Sequence, residues 1–341
     1  PEQFRGDPNT DDGKRILEKA LYGLPISPRL WAKELCKTLD SLGWEECKAE
    51  PGCWCMKDSK KNVVGFLTVY VDDCVIACDT PERTAAEMAK IHAKHELEPI
   101  KYDKDLFKTT GTIKFDLCGT DVEYNAEKRY LRMHMTNYVK KILKQFDMDK
   151  SKPRSSPSFI EANLYNKSSG PSNFKYRACV GALQWLATTA RPDIAHATYM
   201  LARAASLPVT NAMAKCCRLV MRYLVHAPEL GIEYSPELEE QFTKKYRELT
   251  GHAENKGKVK EEIIENPVHT FTDASFGVTY KELRSISGVV VYLWGCPIAW
   301  KSKVQSVFAG STTEAEWIAM SDGIELANSI HSLAEFFFGD P

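Results

Sequence analysis

Residues 63–78, VVGFLTVYVDDCVIAC, consist of two apolar runs joined by the acidic pair Asp72 and Asp73. The runs are rich in β-branched and aromatic residues, which favour β-strands. A further apolar run at 53–56 is separated from them by the polar residues 57–62, which are typical of a turn. The stretch therefore predicts a β-hairpin that carries two carboxylates at its tip, with another strand beside it.

Adjacent carboxylates on a rigid hairpin suit metal-dependent chemistry. Nucleotidyl transfer uses two divalent metal ions about 3.5–4 Å apart, and Mg²⁺ prefers hard oxygen ligands. Acids at the end of a buried strand are otherwise unfavourable. The simpler interpretation is a polar β-turn between two core strands, and the four residues YVDD alone do not exclude it.

The composition is that of a globular protein. The 341 residues are 43% hydrophobic and 27% charged, and the length allows two or three domains. Because the formal net charge is −1, a nucleic-acid surface would need local clustering of Lys and Arg.

The polar N-terminal stretch and the lack of a long apolar run predict an intracellular, soluble protein without a membrane partner. The eleven cysteines lack zinc-knuckle spacing, so we expect free thiols packed as small hydrophobes.

The rest of the sequence alternates helical and strand-like patterns. Helical spacing predicts helices over 28–42, 81–95, 135–146 and 313–338, with two or three more between 176 and 225. Strand-like patterns cover 108–130, 268–274, 286–293 and 297–300. Residues 151–172 are typical of a connecting segment, and the charged stretch 236–266 of a surface linker or insertion.

Several stretches, in the same order, resemble copia-type retrotransposon Pol polyproteins. ALYGLPISPRLWAKELCKTLDSLGW (20–44), LTVYVDDCVIA (67–77) and YLRMHMTNYVKKILKQFDM (130–148) resemble the reverse transcriptase of that family. YRACVGALQWLATTARPDIAHATYMLARAASLP (176–208) and MRYLVHAPELGIEYS (221–235) resemble its thumb and connection region. FTDASF, SISGVVVYLWGCPIAWKSKVQ and STTEAEWIAMS resemble its RNase H domain. The colinear blocks span nearly the whole chain apart from the charged stretch.

The resemblance implies an α+β architecture. It implies a partial right-hand polymerase palm at 1–105, and a primer-grip-like hairpin with thumb and connection helices at 106–235. A charged linker or insertion at 236–267 and the N-terminal half of an RNase H-like α/β domain at 268–341 would follow. The implied parent is an RNA-directed DNA polymerase with RNase H and with Mg²⁺ or Mn²⁺ as cofactor. Its partners would be an RNA template, a DNA primer, RNA–DNA hybrid, deoxynucleotides and the rest of the Pol polyprotein, in a cytoplasmic virus-like particle or the nucleus.

The same resemblance assigns residues to two sites. Asp72 and Asp73 would be metal-binding catalytic acids of the polymerase, and Tyr70, Lys140 and Lys141 would contact nucleotide or primer. For each lysine the alternative is an ordinary solvated helix face.

Asp273 and Glu314 would be metal-binding catalytic acids of the RNase H. The alternative for Asp273 is a turn residue at a strand end. The alternative for Glu314 is a helix N-terminal acid that interacts with the helix dipole.

We expect both sites to be incomplete in this segment. The family's first polymerase acid would lie on a strand before it, and the earlier acids Glu2, Asp7, Asp11, Asp12 and Glu18 do not lie in an apolar strand. The third RNase H acid would follow it, and Asp322, Glu325 and Asp340 do not match that acid. Ile26 stands where the family usually has a glutamine near the nucleotide. The segment alone is therefore expected to be inactive.

Two other functions remain open. One is a nucleic-acid-binding remnant without catalysis, whose groove would use the basic residues Lys140, Lys141, Lys144, Lys301 and Lys303. The other is an unrelated α/β metal-dependent hydrolase, which would need a third carboxylate or a histidine converging on Asp72. Trp31, Trp44, Trp185 and Trp317 are interpreted as packing residues.

Overall fold

The fold is mixed α/β. The structure, a computed structural model, describes residues 21, 23–251, 266–277, 279 and 283–339. The chain divides into two compact units, Pro1–Glu98 and Pro99–Pro341. The described residues form nine α-helices and three antiparallel sheets, which is compatible with the expected α+β class. None of the described helices is long and apolar enough to cross a membrane.

The first unit is an antiparallel sheet with two helices. Its elements are α1 (Ser27–Ser41), β1 (Trp44–Glu46), β2 (Cys53–Lys57), β3 (Val63–Tyr70), β4 (Asp73–Cys78) and α2 (Pro81–His92). The strands follow one another across the sheet in chain order. Thr80 Oγ1 accepts a hydrogen bond from the Arg83 N–H at 3.2 Å, and Pro81 begins α2, as the sequence predicts.

The core of this unit lies between the two helices and one face of the sheet. Leu39 of α1 and Ile91 of α2 pack with Trp44 and Leu67. Gly65 allows the close approach of strand and indole, since a Cβ atom there would lie 3.1 Å from Trp44 Cη2. The two helices therefore cover one face of strands β2, β3 and β4.

The second unit begins with a helix and a hairpin. Its first elements are α3 (Lys104–Thr110), β5 (Thr112–Leu117), β6 (Thr120–Asn125), β7 (Tyr130–His134) and α4 (Thr136–Gln145). The strand-like prediction for 108–130 is wrong at its start, where α3 extends to Thr110. Asp103 Oδ1 caps this helix by accepting from the Asp105 and Leu106 N–H groups, and Gly111 ends it in a left-handed conformation.

Three helices form the main core of the second unit. They are α5 (Tyr176–Thr189), α6 (Ala195–Arg203) and α7 (Asn211–His226), followed by β8 (Gly231–Tyr234), which pairs with β7. At the break between α5 and α6, the buried Arg191 donates two hydrogen bonds to Asp193, at 2.9 and 2.7 Å. Its guanidinium also lies 5.8 Å from the centre of the Tyr223 ring on α7. The Arg-Pro-Asp motif therefore joins the α5–α6 corner to α7.

Helix α8 (Pro236–Leu249) occupies part of the stretch expected to be a linker or insertion. Its Phe242 and Tyr246 are one helical turn apart, and their rings contact His269, Phe271 and Tyr292. These aromatic contacts pack the charged helix on the sheet. The remainder at 252–265 lies outside the described residues.

The last sheet consists of β9 (Val268–Ser275), β10 (Ile286–Leu293) and β11 (Cys296–Val304), in the order β11-β10-β9. The long helix α9 (Thr312–Phe338) covers one face, and α5, α6 and α8 contact the other. On that second face Trp300 Nε1 donates to the Ala187 carbonyl at 2.7 Å. The predicted three strands and long helix are confirmed.

Four tryptophans were predicted to pack in cores. Trp44 is buried, whereas Trp31, Trp185 and Trp317 are exposed to 38, 42 and 65%. The prediction is therefore wrong for these three, because helical spacing does not identify which face of a helix is covered.

Candidate active site

The β3–β4 hairpin presents Asp72 and Asp73 at its tip, as predicted. Tyr70 pairs with Asp73 across the strands, so Val71 and Asp72 form a two-residue turn. Val71 has φ = 61°, a left-handed conformation that is unfavourable for a β-branched residue. Positive φ also occurs at Lys61, Cys118, Arg129 and Trp294, so it is a general feature of the hairpin turns in this chain. Because Val71 is β-branched, the turn that carries the acids is a strained element.

Trp31 anchors this turn. Its Nε1 donates a hydrogen bond to the Val71 carbonyl at 2.7 Å, across 40 residues of sequence. The His95 ring lies edge-on to the indole with centroids 5.1 Å apart, and His95 Nε2 is 2.9 Å from Thr38 Oγ1. No local feature of the sequence distinguishes Trp31 from Trp44, whose indole N–H has no acceptor among the described residues.

Tyr70 and Asp73 share the open face of the hairpin. Tyr70 is 68% exposed, Asp73 is also exposed, and both point away from the core of the first unit. Cys74 points to the opposite, half-buried face, and burial raises the pKa of its thiol. Because Cys74 lies on the opposite face of the hairpin, it does not supply a third ligand beside the two acids.

The described residues do not complete a metal site. Among them, no three His, Cys, Asp or Glu side chains are placed to hold a metal ion together. Asp72 and Asp73 fit a divalent ion only as a partial ligand set. The early acids Glu2, Asp7, Asp11, Asp12 and Glu18 lie outside the described residues, as does Asp340. Ile26, which replaces the expected glutamine, is 56% exposed just before α1.

Asp273 lies on β9, paired with Gly288 of β10. Its neighbour Thr272 faces α9, because a Cβ atom on Gly323 would lie 2.4 Å from Thr272 Cγ2. Side chains alternate along a strand, so the exposed Asp273 leaves the sheet on the side away from α9.

Glu314 lies in the first turn of α9. Its Oε2 accepts a hydrogen bond from the Gly310 N–H at 2.7 Å, while its own N–H donates to Ser311 Oγ at 3.1 Å. This reciprocal arrangement resembles a capping box. Gln305 Nε2 donates to the Ala315 carbonyl and to Ser287 Oγ, which places this turn at the same end of the sheet as Asp273. The two acids share an end of the sheet, but the sheet separates their directions.

The candidate basic residues fall into two groups. Lys140, Lys141 and Lys144 are exposed on α4, whose opposite face is buried in the core. Lys301 instead pairs with Asp322 of α9, with Nζ 3.1 Å from Oδ1. Lys303 is exposed on β11. Lys301 is therefore engaged within the fold, and the α4 lysines face solvent.

Comparison with known proteins identifies the family. Residues 2–160 match the family model described as "Reverse transcriptase (RNA-dependent DNA polymerase)". The chain is 27% identical over 308 residues to the "Retrovirus-related Pol polyprotein from transposon RE1" of Arabidopsis thaliana, covering 90% of the chain and 18% of that protein. It is 24% identical over 314 residues to a "Putative transposon Ty5-1 protein" of Saccharomyces cerevisiae, covering 90% of the chain and 88% of that protein. It is also 30% identical over 155 residues to "Secreted RxLR effector protein 161" of Plasmopara viticola, covering 46% of the chain and 90% of that protein.

The chain contains a reverse transcriptase domain, and over 90% of its length it is similar to Pol polyproteins of copia-type transposons, at 26–27% identity. It spans 18% of the length of the Arabidopsis Pol polyproteins that it matches. No solved structure matches the chain.

Proposed function

We propose that Asp72 and Asp73 are catalytic acids of an RNA-directed DNA polymerase, of which this chain is the reverse transcriptase part. The observation that carries the proposal is the β3–β4 turn, where the two acids project from a strained backbone that Trp31 holds. Tyr70 would contact the nucleotide or primer from the same exposed face. The ligands of the parent enzyme would be an RNA template, a DNA primer and deoxynucleotides.

The cofactor of the parent enzyme would be Mg²⁺ or Mn²⁺. A two-metal site needs more ligands than Asp72 and Asp73 provide, and the described residues place no further acid, histidine or cysteine with them. We therefore propose that this chain alone does not polymerise.

We also propose that this chain alone has no RNase H activity. In the parent enzyme the RNase H part would act on RNA–DNA hybrid. The succession of three antiparallel strands and a long helix supports an RNase H-like start at 268–341. Asp273 and Glu314 are its candidate acids. Glu314 is occupied as a helix-capping side chain and Asp273 leaves the other side of the sheet, so neither forms a shared site with the other. The proposed palm (1–105) and the thumb and connection (106–235) complete the domain assignment.

Primer extension tests the polymerase proposal. A labelled DNA primer on an RNA template would be incubated with deoxynucleotides and Mg²⁺ or Mn²⁺, with the chain and its D72N/D73N variant in parallel. We expect no incorporation by either protein. Incorporation by the chain that the variant abolishes would contradict the proposed inactivity, although it would support the two acids. Incorporation that persists in the variant would contradict the assignment of the acids.

A second candidate function is a non-catalytic nucleic-acid-binding protein. The exposed lysines on α4 favour it, because they face solvent without a described ion-pair partner. Binding of RNA–DNA hybrid without turnover would distinguish this function from polymerisation.

A further inference from the structure

Strand β8 lies at the edge of its sheet. The four strands follow the order β5-β6-β7-β8, so β8 has a strand neighbour on one side only. An unpaired strand edge presents backbone N–H and C=O groups that another chain can use. The free side of β8 therefore offers hydrogen-bonding groups to a further strand.

The backbones of Gly231 and Glu233 point to this free side. Ser235 continues β8 in an extended conformation, and its N–H faces the Cys296 thiol, which lies outside this sheet. Because backbone groups alternate sides along a strand, Gly231 and Glu233 point the same way as Ser235. The pairing with β7 agrees, since a Cβ atom on Gly231 would lie 2.7 Å from His134 Cβ, as in the closer, non-hydrogen-bonded type of pair. In the described part of the chain, neither residue has a backbone hydrogen-bond partner on that side.

A groove of about 500 Å³ runs along this free edge. Its second wall is α8, which contributes Leu238, Gln241, Phe242 and Lys245. The β10–β11 turn closes one end, because a Cβ atom on Gly295 would lie only 2.9 Å from Phe242 Cβ. At the same end Tyr234 Oη donates to the Pro297 carbonyl at 3.2 Å. Towards the other end Leu230 is 47% exposed, so the groove is open there.

The shape of the groove selects a single extended chain as its occupant. The β8 residues that border it are Gly231, Ile232 and Glu233, and α8 stands opposite them. A second copy of the chain would have to bring a strand together with the elements that pack beside that strand, and α8 stands in their way. An isolated extended peptide has no such neighbours.

The walls combine apolar surface with an unpaired cation. Leu230 and Phe242 contribute apolar surface. Lys245 is exposed and has no ion-pair partner among the described residues. Arg132, also in the groove, is already engaged by Glu233, with Nε 3.1 Å from the carboxylate. An occupant with apolar and acidic side chains would therefore complement both the surface and the free charge.

We propose that the groove between β8 and α8 binds an extended peptide of alternating apolar and acidic residues, which adds to β8 as a further strand. The peptide backbone pairs with Gly231 and Glu233. Its apolar side chains contact Leu230 and Phe242, and an acidic side chain meets Lys245. Strand addition of this kind takes affinity from backbone hydrogen bonds and specificity from side-chain contacts. The groove lies within the second unit and involves none of the candidate catalytic acids.

Fluorescence anisotropy of a labelled peptide tests the proposal. The probe is a fluorescein-labelled peptide of about six residues in which valine and glutamate alternate. It is titrated with the full chain at about 0.1 M salt, and we expect saturable binding with a Kd below about 1 mM. K245Q should weaken binding by about two- to fivefold, as for an exposed ion pair. A probe with lysine in place of glutamate should bind less tightly than the acidic probe.

Backbone methylation tests the strand pairing without changing the protein. Two further probes carry N-methyl groups on one or the other set of alternate residues, so each has lost the N–H donors along one edge. Only one edge of the peptide can face β8. We expect one of these probes to bind at least about fivefold more weakly and the other to bind like the unmethylated probe.

Lys244 provides the matched control. It is the neighbouring exposed lysine of α8, and it lines the other side of the helix with Thr243 and Arg247. K244Q removes the same charge and should change affinity by less than about twofold. Circular dichroism would confirm that each variant is folded.

Four results would overturn the proposal. The first is no saturable binding at about 1 mM peptide, and the second is an equal loss of affinity in K244Q and K245Q. The third is equal affinity of the two methylated probes, because pairing with β8 requires them to differ. The fourth is a dimer of the chain in sedimentation that K245Q weakens, which would assign the groove to a second copy.

Discussion

Two regions of the chain each present a pair of candidate acids, and they differ in how the pair is assembled. Asp72 lies in a two-residue turn and Asp73 begins the strand that follows it, and Trp31 donates a hydrogen bond to the backbone of this turn. Asp273 lies on β9 and points to one side of the sheet. Glu314 lies on α9, which packs on the other side of the sheet. An acid pair on one turn depends on local backbone geometry. An acid pair on two elements depends on which faces those elements pack together.

The largest expected effect concerns the packing of α9 on β9. Replacing Gly323 with alanine places a Cβ atom 2.4 Å from Thr272 Cγ2 and 3.3 Å from Thr270 Cγ2. Both threonines are β-branched and restricted at χ1, so relief requires movement of the helix. We expect G323A to destabilise the chain by about 1–3 kcal/mol in urea unfolding.

A matched glycine and a compensating change sharpen this test. Gly181 in α5 has nothing within 4 Å of an added Cβ atom, so G181A should stabilise the helix by up to about 1 kcal/mol. T272S removes the methyl group that clashes, and G323A/T272S should recover most of the lost stability. A neutral G323A would contradict the placement of Thr272 against α9, and with it the outward direction of Asp273.

An intermediate effect is expected at the first pair of acids. W31F keeps an aromatic ring but removes the N–H that donates to the Val71 carbonyl. The loss of one partly exposed hydrogen bond costs about 0.5–1.5 kcal/mol, and it should loosen the strained turn. Hydrogen exchange followed by mass spectrometry should show faster exchange in peptides that cover 63–78.

The control for this variant is another exposed tryptophan. Trp317 of α9 is 65% exposed, and W317F should leave exchange of the hairpin unchanged. If W31F also left it unchanged, the hydrogen bond would not hold the turn, and the contrast between the two regions would lose its basis.

The smallest effects distinguish the two acids of the second pair. E314A removes the acceptor for the Gly310 N–H and a negative charge at the start of α9, so we expect a loss of about 0.5–1 kcal/mol in thermal unfolding. D273A removes an exposed side chain and should change stability by less than about 0.5 kcal/mol. An equal loss in both variants would indicate that Asp273 has a structural partner of comparable importance.

Strong local signals made several elements predictable. The hairpin strands were predicted to within one residue because both are short apolar runs that flank a polar pair. The start of α2 followed from Thr80 and Pro81, which cap and begin a helix. Helix α8 was missed because its charges mask a small apolar face, although Phe242 and Tyr246 at a four-residue interval carry the helical signal. Helix α3 was missed because it is short and borders a strand.

The candidate sites were predictable to different degrees, because only some of their features depend on residues that are close in the sequence. Neighbouring residues suffice to place Asp72 and Asp73 together, because one tight turn fixes both. The anchoring role of Trp31, the capping role of Glu314 and the direction of Asp273 follow from packing between segments distant in the chain. Strand alternation and helical periodicity are local properties. Which face another element covers is a property of the assembled core, since burial of apolar area is not directional.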